Sequence, residues 1–159
     1  MITQLRTDSG HADFKTLVEA LDAELRIRDG DDFAFYAQLN RTDLMKQVLI
    51  AYEGSVAAAC GALRDYQPGT VEIKRMYVIP SKRNRGIASR LLRSLEEWAA
   101  ELGYSRCILE TGRNQPEAIR LYQKNGYQEI PNYGKYQQVS QSICFRKDLD
   151  GVRATEPAP

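Results

Sequence analysis

Residues 71–88 constrain this chain more than any other stretch: Val71-Glu72-Ile73-Lys74-Arg75-Met76-Tyr77-Val78-Ile79-Pro80-Ser81-Lys82-Arg83-Asn84-Arg85-Gly86-Ile87-Ala88. A β-type run passes through a short basic loop and, at Gly86, changes to a helical period. Ile87, Leu91, Leu95, Trp98 and Leu102 recur at helix spacing, Leu92 and Ala99 widen the stripe, and Gly103 ends it. A compact apolar strand follows at 106–110. Two strands that bracket a crossover helix run parallel. The helix start also has a chemical consequence. Its first amides lack intrahelical acceptors and carry partial positive charge. Gly86, with no Cβ, lets a bulky phosphate approach the backbone, and Lys82, Arg83 and Arg85 add full charges beside it. The stretch predicts a pyrophosphate cradle.

The flanking segments give the rest of the architecture. Residues 2–7 read as a strand, and 13–28 as a helix with Phe14, Leu17, Val18, Leu21 and Leu25 on one face. Asp29-Gly30-Asp31-Asp32 breaks that helix, and a second short helix is expected over 33–39. Strands at 47–52 and 55–64 flank Glu53-Gly54 as a hairpin, and Gln67-Pro68-Gly69 turns into the strand at 70–78. Asn114 is a candidate cap for a helix with Pro116 in its first turn and Gly126 at its end. Final strands are expected at 127–130 and 141–146, with a turn-rich link through Pro131-Asn132-Tyr133-Gly134. The resulting fold class is α/β (α+β), with a mixed, mostly antiparallel sheet of about seven strands and helices on both faces. Residues 1–150 are expected to form one domain and 151–159 a disordered tail.

Bulk properties exclude several functions. With 22 basic and 21 acidic residues in 159, the net charge of +1 gives no global attraction to nucleic acid or anionic membrane. The apolar run near 56–63 is too short to span a bilayer, and residues 1–10 lack a signal-peptide core, so a cytoplasmic location is expected. Cys60, Cys107 and Cys144 have unrelated spacings among apolar neighbours and read as buried structural thiols. His11 is the only histidine, which argues against a His-rich zinc site and a Ser-His-Asp triad; no metal is expected.

The motif Arg83-x-x-Gly86-x-Ala88, after a strand ending Val78-Ile79-Pro80, is followed by Ala118-Ile119-Arg120-Leu121-Tyr122-Gln123-Lys124-Asn125-Gly126-Tyr127. Together these resemble the GNAT superfamily of acetyl-CoA-dependent N-acetyltransferases, over roughly residues 47–149. The resemblance implies a GNAT-like fold and acetyl-CoA as acetyl donor. It implies that backbone groups of Met76, Tyr77 and Val78 bind the pantetheine arm. Amides of Arg83, Asn84, Arg85, Gly86, Ile87 and Ala88, with Ser89, would hold the pyrophosphate. On the residues alone, Arg83 and Arg85 also fit a solvated loop.

Tyr122 matches the family's general-acid tyrosine, which would reprotonate the departing thiolate; a core tyrosine beside Leu121 is the structural alternative. A thiol near ~8.5 and a phenol near ~10 differ by about 1.5 units, roughly 2 kcal/mol uphill. Glu72 matches a general-base glutamate of some members, with pairing to Lys74 or a neighbouring arginine as its alternative. Where the family often has asparagine three residues before the alanine of the last motif, this chain has Gln115 with Asn114 beside it; either side chain reaches toward the pantetheine in this reading. Candidate acceptor-site residues are Arg28, Phe35, Tyr36, Tyr133 and Tyr136. The implied acceptor is an amine, on a small molecule or a protein, and a homodimer is the family expectation. A non-catalytic acyl-CoA sensor would keep the phosphate loop without needing Tyr122.

Overall fold

Alternating and 3.6-residue patterns resolve into strands and helices close to the expected bounds in the computed structural model, which describes residues 1–30 and 45–149. The chain runs β1 (Ile2–Thr7), α1 (Ala12–Asp29), β2 (Gln47–Glu53), β3 (Val56–Gln67) and β4 (Thr70–Val78). A 3-10 turn (Pro80–Lys82) leads to α2 (Ile87–Glu101), β5 (Arg106–Gly112), α3 (Pro116–Lys124) and β6 (Gln128–Ile130). A second 3-10 turn (Gly134–Tyr136) precedes β7 (Ser142–Asp148). The expected helix at 33–39, the tail at 151–159, and Phe35 and Tyr36 lie outside the described residues.

Seven strands form one mixed sheet in the order β1-β2-β3-β4-β5-β7-β6. The pairs β1–β2, β2–β3, β5–β7 and β6–β7 are antiparallel. As expected of a helical crossover, β4 and β5 pair in parallel, with Thr70↔Arg106, Val71↔Cys107 and Glu72↔Ile108 in register. That register ends at Glu72, while β4 itself continues to Val78. Residues Thr70 to Arg75 are all buried, as suits a strand in the interior of the sheet.

The chain packs as two compact units. The first comprises Met1–Arg64 with Lys74–Leu92. Its core joins Phe14, Leu17 and Leu21 of α1 to Met45, Val48, Ile50, Cys60, Ala62 and Tyr77. His11 caps α1, its Nδ1 accepting from the Asp13 amide at 3.0 Å, so the lone histidine has a structural role. The second unit comprises Asp65–Ile73 and the chain from Arg93 onward. There Glu96 is buried and accepts from the Tyr127 hydroxyl at 2.8 Å and from Lys147 Nζ at 2.9 Å. Both carboxylate oxygens thus have donors, which offsets the cost of removing the charge from water.

Three local expectations are corrected. The buried stripe of α2 is Ile87, Leu91, Leu92, Leu95 and Ala99, whereas Leu102 lies past the helix end and is exposed. Gln115, not Asn114, occupies the cap position of α3, and it makes no side-chain capping bond. β3 runs on to Gln67, so its polar end, Arg64 to Gln67, is exposed strand rather than turn.

Candidate active site

The phosphate-loop residues sit in the first unit. After β4, Lys82 and Arg83 donate their amides to the Ile79 and Pro80 carbonyls at 3.0 and 3.3 Å, closing the 3-10 turn. The chain then adopts left-handed backbone at Asn84 (φ 65°) and Gly86 (φ 80°). Alternation of this kind turns successive amides toward one side and makes an anion-binding concavity. The first bond of α2 is Arg90 N–H to the Gly86 carbonyl at 3.1 Å, so the amides before Arg90 open the helix. A Cβ on Gly86 would meet nothing within 4 Å. No protein atom therefore demands glycine there; the backbone angle does, and the open side leaves room for an anion.

The loop's cations are not equivalent. Arg83 turns inward: its Nε donates to the Val78 carbonyl at 2.8 Å, its Nη2 to Glu24 at 2.9 Å, and its guanidinium lies 5.4 Å from the Tyr77 ring centroid. Its side chain braces the loop. Lys82 and Arg85 instead share Glu53, the Arg85 contact measuring 2.9 Å. The hydrogen bond from Lys82, with the charges of Lys82 and Arg85, holds the Glu53 carboxyl below its ordinary range. This carboxylate sits between two cations of the loop. Glu53 was not singled out from sequence; its only signal was its position at the hairpin turn.

Met76, Tyr77 and Val78 follow Arg75, which is left-handed at φ 58°. An arginine in that conformation within a strand is unusual and marks a local distortion. Arg75 is buried and its Nη2 donates to Asp22 of α1 at 2.6 Å. Ser89 is buried in the first turn of α2. Arg28 lies in the last turn of α1, where a cation complements the helix dipole.

Glu72 belongs to a cluster in the second unit. It is buried, and its Oε2 accepts from the Tyr133 hydroxyl at 2.7 Å. This is a neutral donor on a buried carboxylate. Burial and the neighbouring Glu72 charge push the Tyr133 phenol far above its ordinary value, so Tyr133 stays a donor. Tyr133 meets Tyr66 and Tyr136 edge-on, at centroid distances of 5.2 and 5.7 Å. Asn132 Nδ2 lies 3.0–3.1 Å from the carbonyls of Tyr136, Val139 and Ser142, tying down the loop that carries both tyrosines. Sequence reasoning placed Tyr133 and Tyr136 but missed Tyr66 and Asn132; only the turn-rich Asn132-Tyr133-Gly134 hinted at the latter.

Tyr122, on α3, is buried in the same unit, edge-on to Tyr127 at 5.8 Å and tilted against Phe145 at 6.1 Å. Burial, and secondarily the charge of Glu110, raise its phenol well above the ordinary range. Asn114 and Gln115 precede that helix and lie over Gly112, where a Cβ would come 2.7 Å from Asn114 Oδ1 and 3.2 Å from Gln115 Nε2. Cys60, Cys107 and Cys144 are all buried free thiols, consistent with structural roles. Among the described residues no group of His, Cys, Asp and Glu is arranged to hold a metal, and no helix is long and apolar enough to cross a membrane.

Known proteins bring this geometry into a family. A family model described as the acetyltransferase (GNAT) family matches residues 14–127. An IAA acetyltransferase of Azospirillum brasilense is 36% identical over 102 residues, covering 64% of this chain and 67% of that protein. A crystal structure from Klebsiella pneumoniae, provisionally named an acyl-CoA N-acyltransferase, is 30% identical with a TM-score of 0.79, covering 94% of this chain and 98% of that one. A GNAT acetyltransferase of Elizabethkingia anophelis, solved with acetyl-CoA bound, shares the fold at 18% identity with a TM-score of 0.67, covering 93% of this chain and 98% of that one. Matched over most of its length by the family model and by the Klebsiella fold, this chain belongs to the GNAT family of acetyltransferases.

Proposed function

We propose that the protein is an N-acetyltransferase that moves an acetyl group from acetyl-CoA to an amine by direct attack. The observation that carries this reading is the loop entering α2. Left-handed Asn84 and Gly86, an open side over Gly86, and Lys82 and Arg85 alongside are what a pyrophosphate requires. Asn114 or Gln115 would add a side-chain contact to the pantetheine arm.

In the proposed reaction the neutral amine attacks the thioester carbonyl. The C–N bond forms, the C–S bond breaks, and the amine's surplus proton leaves to Glu72, directly or through water. Amides of Met76 to Val78 would polarise the carbonyl oxygen. Glu72 and those residues belong to one strand, β4. Tyr133 orients the Glu72 carboxylate. The coenzyme A thiolate takes its proton from Tyr122. A phenol raised by burial is a poorer acid in isolation, which widens the gap of about 1.5 units. A thiolate expelled into the same dry surroundings is raised by the same desolvation, so the gap between the pair is narrower than the Tyr122 value alone implies. We further read Tyr136 and Arg28 as acceptor-side residues and cytoplasm as the location.

The test is acetyl-CoA titration calorimetry followed by thiol release in an amine panel, with Tyr122→Phe alongside. Binding without acetylation of any amine overturns the enzyme reading. The tight ring packing of Tyr122 would then be purely structural, favouring an acyl-CoA sensor.

A further inference from the structure

We propose that Arg75 is the acceptor's carboxylate anchor and that the acceptor is a small amine bearing a carboxylate, of the amino-acid class. The inference rests on the acetyltransferase reading above and adds the chemistry of its second substrate. Arg75 has a side chain only 3% exposed, yet its Nε is the one buried side-chain nitrogen or oxygen without a hydrogen-bond partner among the described residues. Buried polar groups in folded proteins are nearly always satisfied, so an unmatched N–H on a buried guanidinium calls for an explanation.

The geometry of the guanidinium edge identifies the partner it suits. A guanidinium offers Nε–H and one Nη2–H as a parallel pair along its side edge, which matches the two oxygens of a carboxylate. Asp22 Oδ1 engages Nη2 at 2.6 Å and leaves Nε unmatched. Nη2 carries two hydrogens, so Asp22 and a second carboxylate can share it. Asp22 is 41% exposed at its side chain, so this end of the pair meets solvent from which a small molecule can arrive. The left-handed backbone at Arg75 is strain of the sort that collects at ligand clamps. The anchor also immediately precedes Met76, the first of the residues assigned to the acetyl donor. A carboxylate fixed there suits an acceptor whose amine lies a few bonds away. Lysine would supply the charge without the paired edge, which accounts for arginine here.

The experiment compares kcat/KM for a pool of L-amino acids with that for the corresponding decarboxylated amines, by mass-spectrometric detection of acetyl products. The wild type should prefer the carboxylate-bearing member by about tenfold or more, and Arg75→Lys should collapse that ratio by about 10- to 100-fold, mainly through acceptor KM. A fold defect lowers both members of each pair and leaves the ratio intact. A wild type that acetylates decarboxylated amines equally well overturns the proposal, whatever the variant does. If no amine of either set is acetylated, the acetyltransferase reading fails and binding decides this one. Saturation-transfer NMR with a pool of N-acetyl-L-amino acids should then show wild-type binding that is lost in Arg75→Lys, and no wild-type binding sinks the anchor.

Discussion

Replacing Gly86 with alanine separates the loop's two physical requirements. At φ 80° alanine pays the left-handed penalty of about 1–2 kcal/mol. Its Cβ meets no protein atom within 4 Å, so no clash adds to that cost. A loss of about 1 kcal/mol lowers Tm by roughly 2–4 °C in a chain of this size. Acetyl-CoA affinity should suffer much more, because the new methyl stands where a phosphate would meet the amides. Losing one charge-assisted hydrogen bond, about 1.5–3 kcal/mol, weakens binding roughly 10- to 150-fold. Gly103 supplies the control at the other end of α2, with φ 95° and the same open surroundings. Gly103→Ala should match the Tm loss and leave affinity alone. Differential scanning calorimetry and titration calorimetry on both variants suffice. Equal stability losses with wild-type acetyl-CoA affinity in Gly86→Ala would refute the cradle.

Tyr133→Phe should lower kcat without changing acetyl-CoA affinity and cost about 1–2 kcal/mol in urea unfolding, since Glu72 loses a donor; Glu72→Gln should lower kcat further, by about 10²-fold or more, in the same assay. Glu53→Gln frees Lys82 and Arg85 and should tighten acetyl-CoA binding by up to about fivefold at low salt, with the gain fading as salt rises. Burial pushes Cys60 and Cys107 up to about 12 and Cys144 up to about 11. Unfolded thiols ionise near ~8.5, so above that pH the unfolded chain binds fewer protons than the folded one. Their contribution is therefore complete below ~8.5 and is lost as pH climbs toward 12, and urea midpoints measured at pH 7 and pH 10 should fall accordingly. Aromatic disulfide reagent at pH 8 should titrate three thiols only after denaturation; fast reaction of the folded protein would contradict their burial.

Much of the fold was legible because its signals are local. The 3.6 period of α2 and the crossover that makes β4 and β5 parallel each depend on neighbours in sequence. The left-handed turn into α2 was legible for the same reason, since glycine at position 86 states its own backbone requirement. Arg75 shows the opposite case: arginine has no preference for a left-handed strand position, so nothing in its identity announces the distortion. The Glu72–Tyr133 bond joins residues 61 positions apart, and the inward turn of Arg83 depends on Glu24, 59 positions away. A basic residue in a loop reads the same whether it faces solvent or a distant carboxylate. Asn114 looked like a cap because cap preference is a matter of residue type. Which of two adjacent polar residues takes the position is decided by the backbone of Gln115, at φ −120° and ψ 71°.

The locality of the phosphate loop has a consequence for how this protein can change over generations. Its turn is closed by bonds from Lys82 to Ile79 and from Arg83 to Pro80, all within a few residues. The phosphate-holding part of the proposed site is therefore written in one short passage that travels together. The acceptor half is dispersed: around the proposed base alone, Tyr66, Glu72 and Tyr133 come from distant parts of the chain. Mutation can redraft that dispersed half one residue at a time while the contiguous passage stays intact. A lineage built this way is free to change what it acetylates without relearning how to hold the donor.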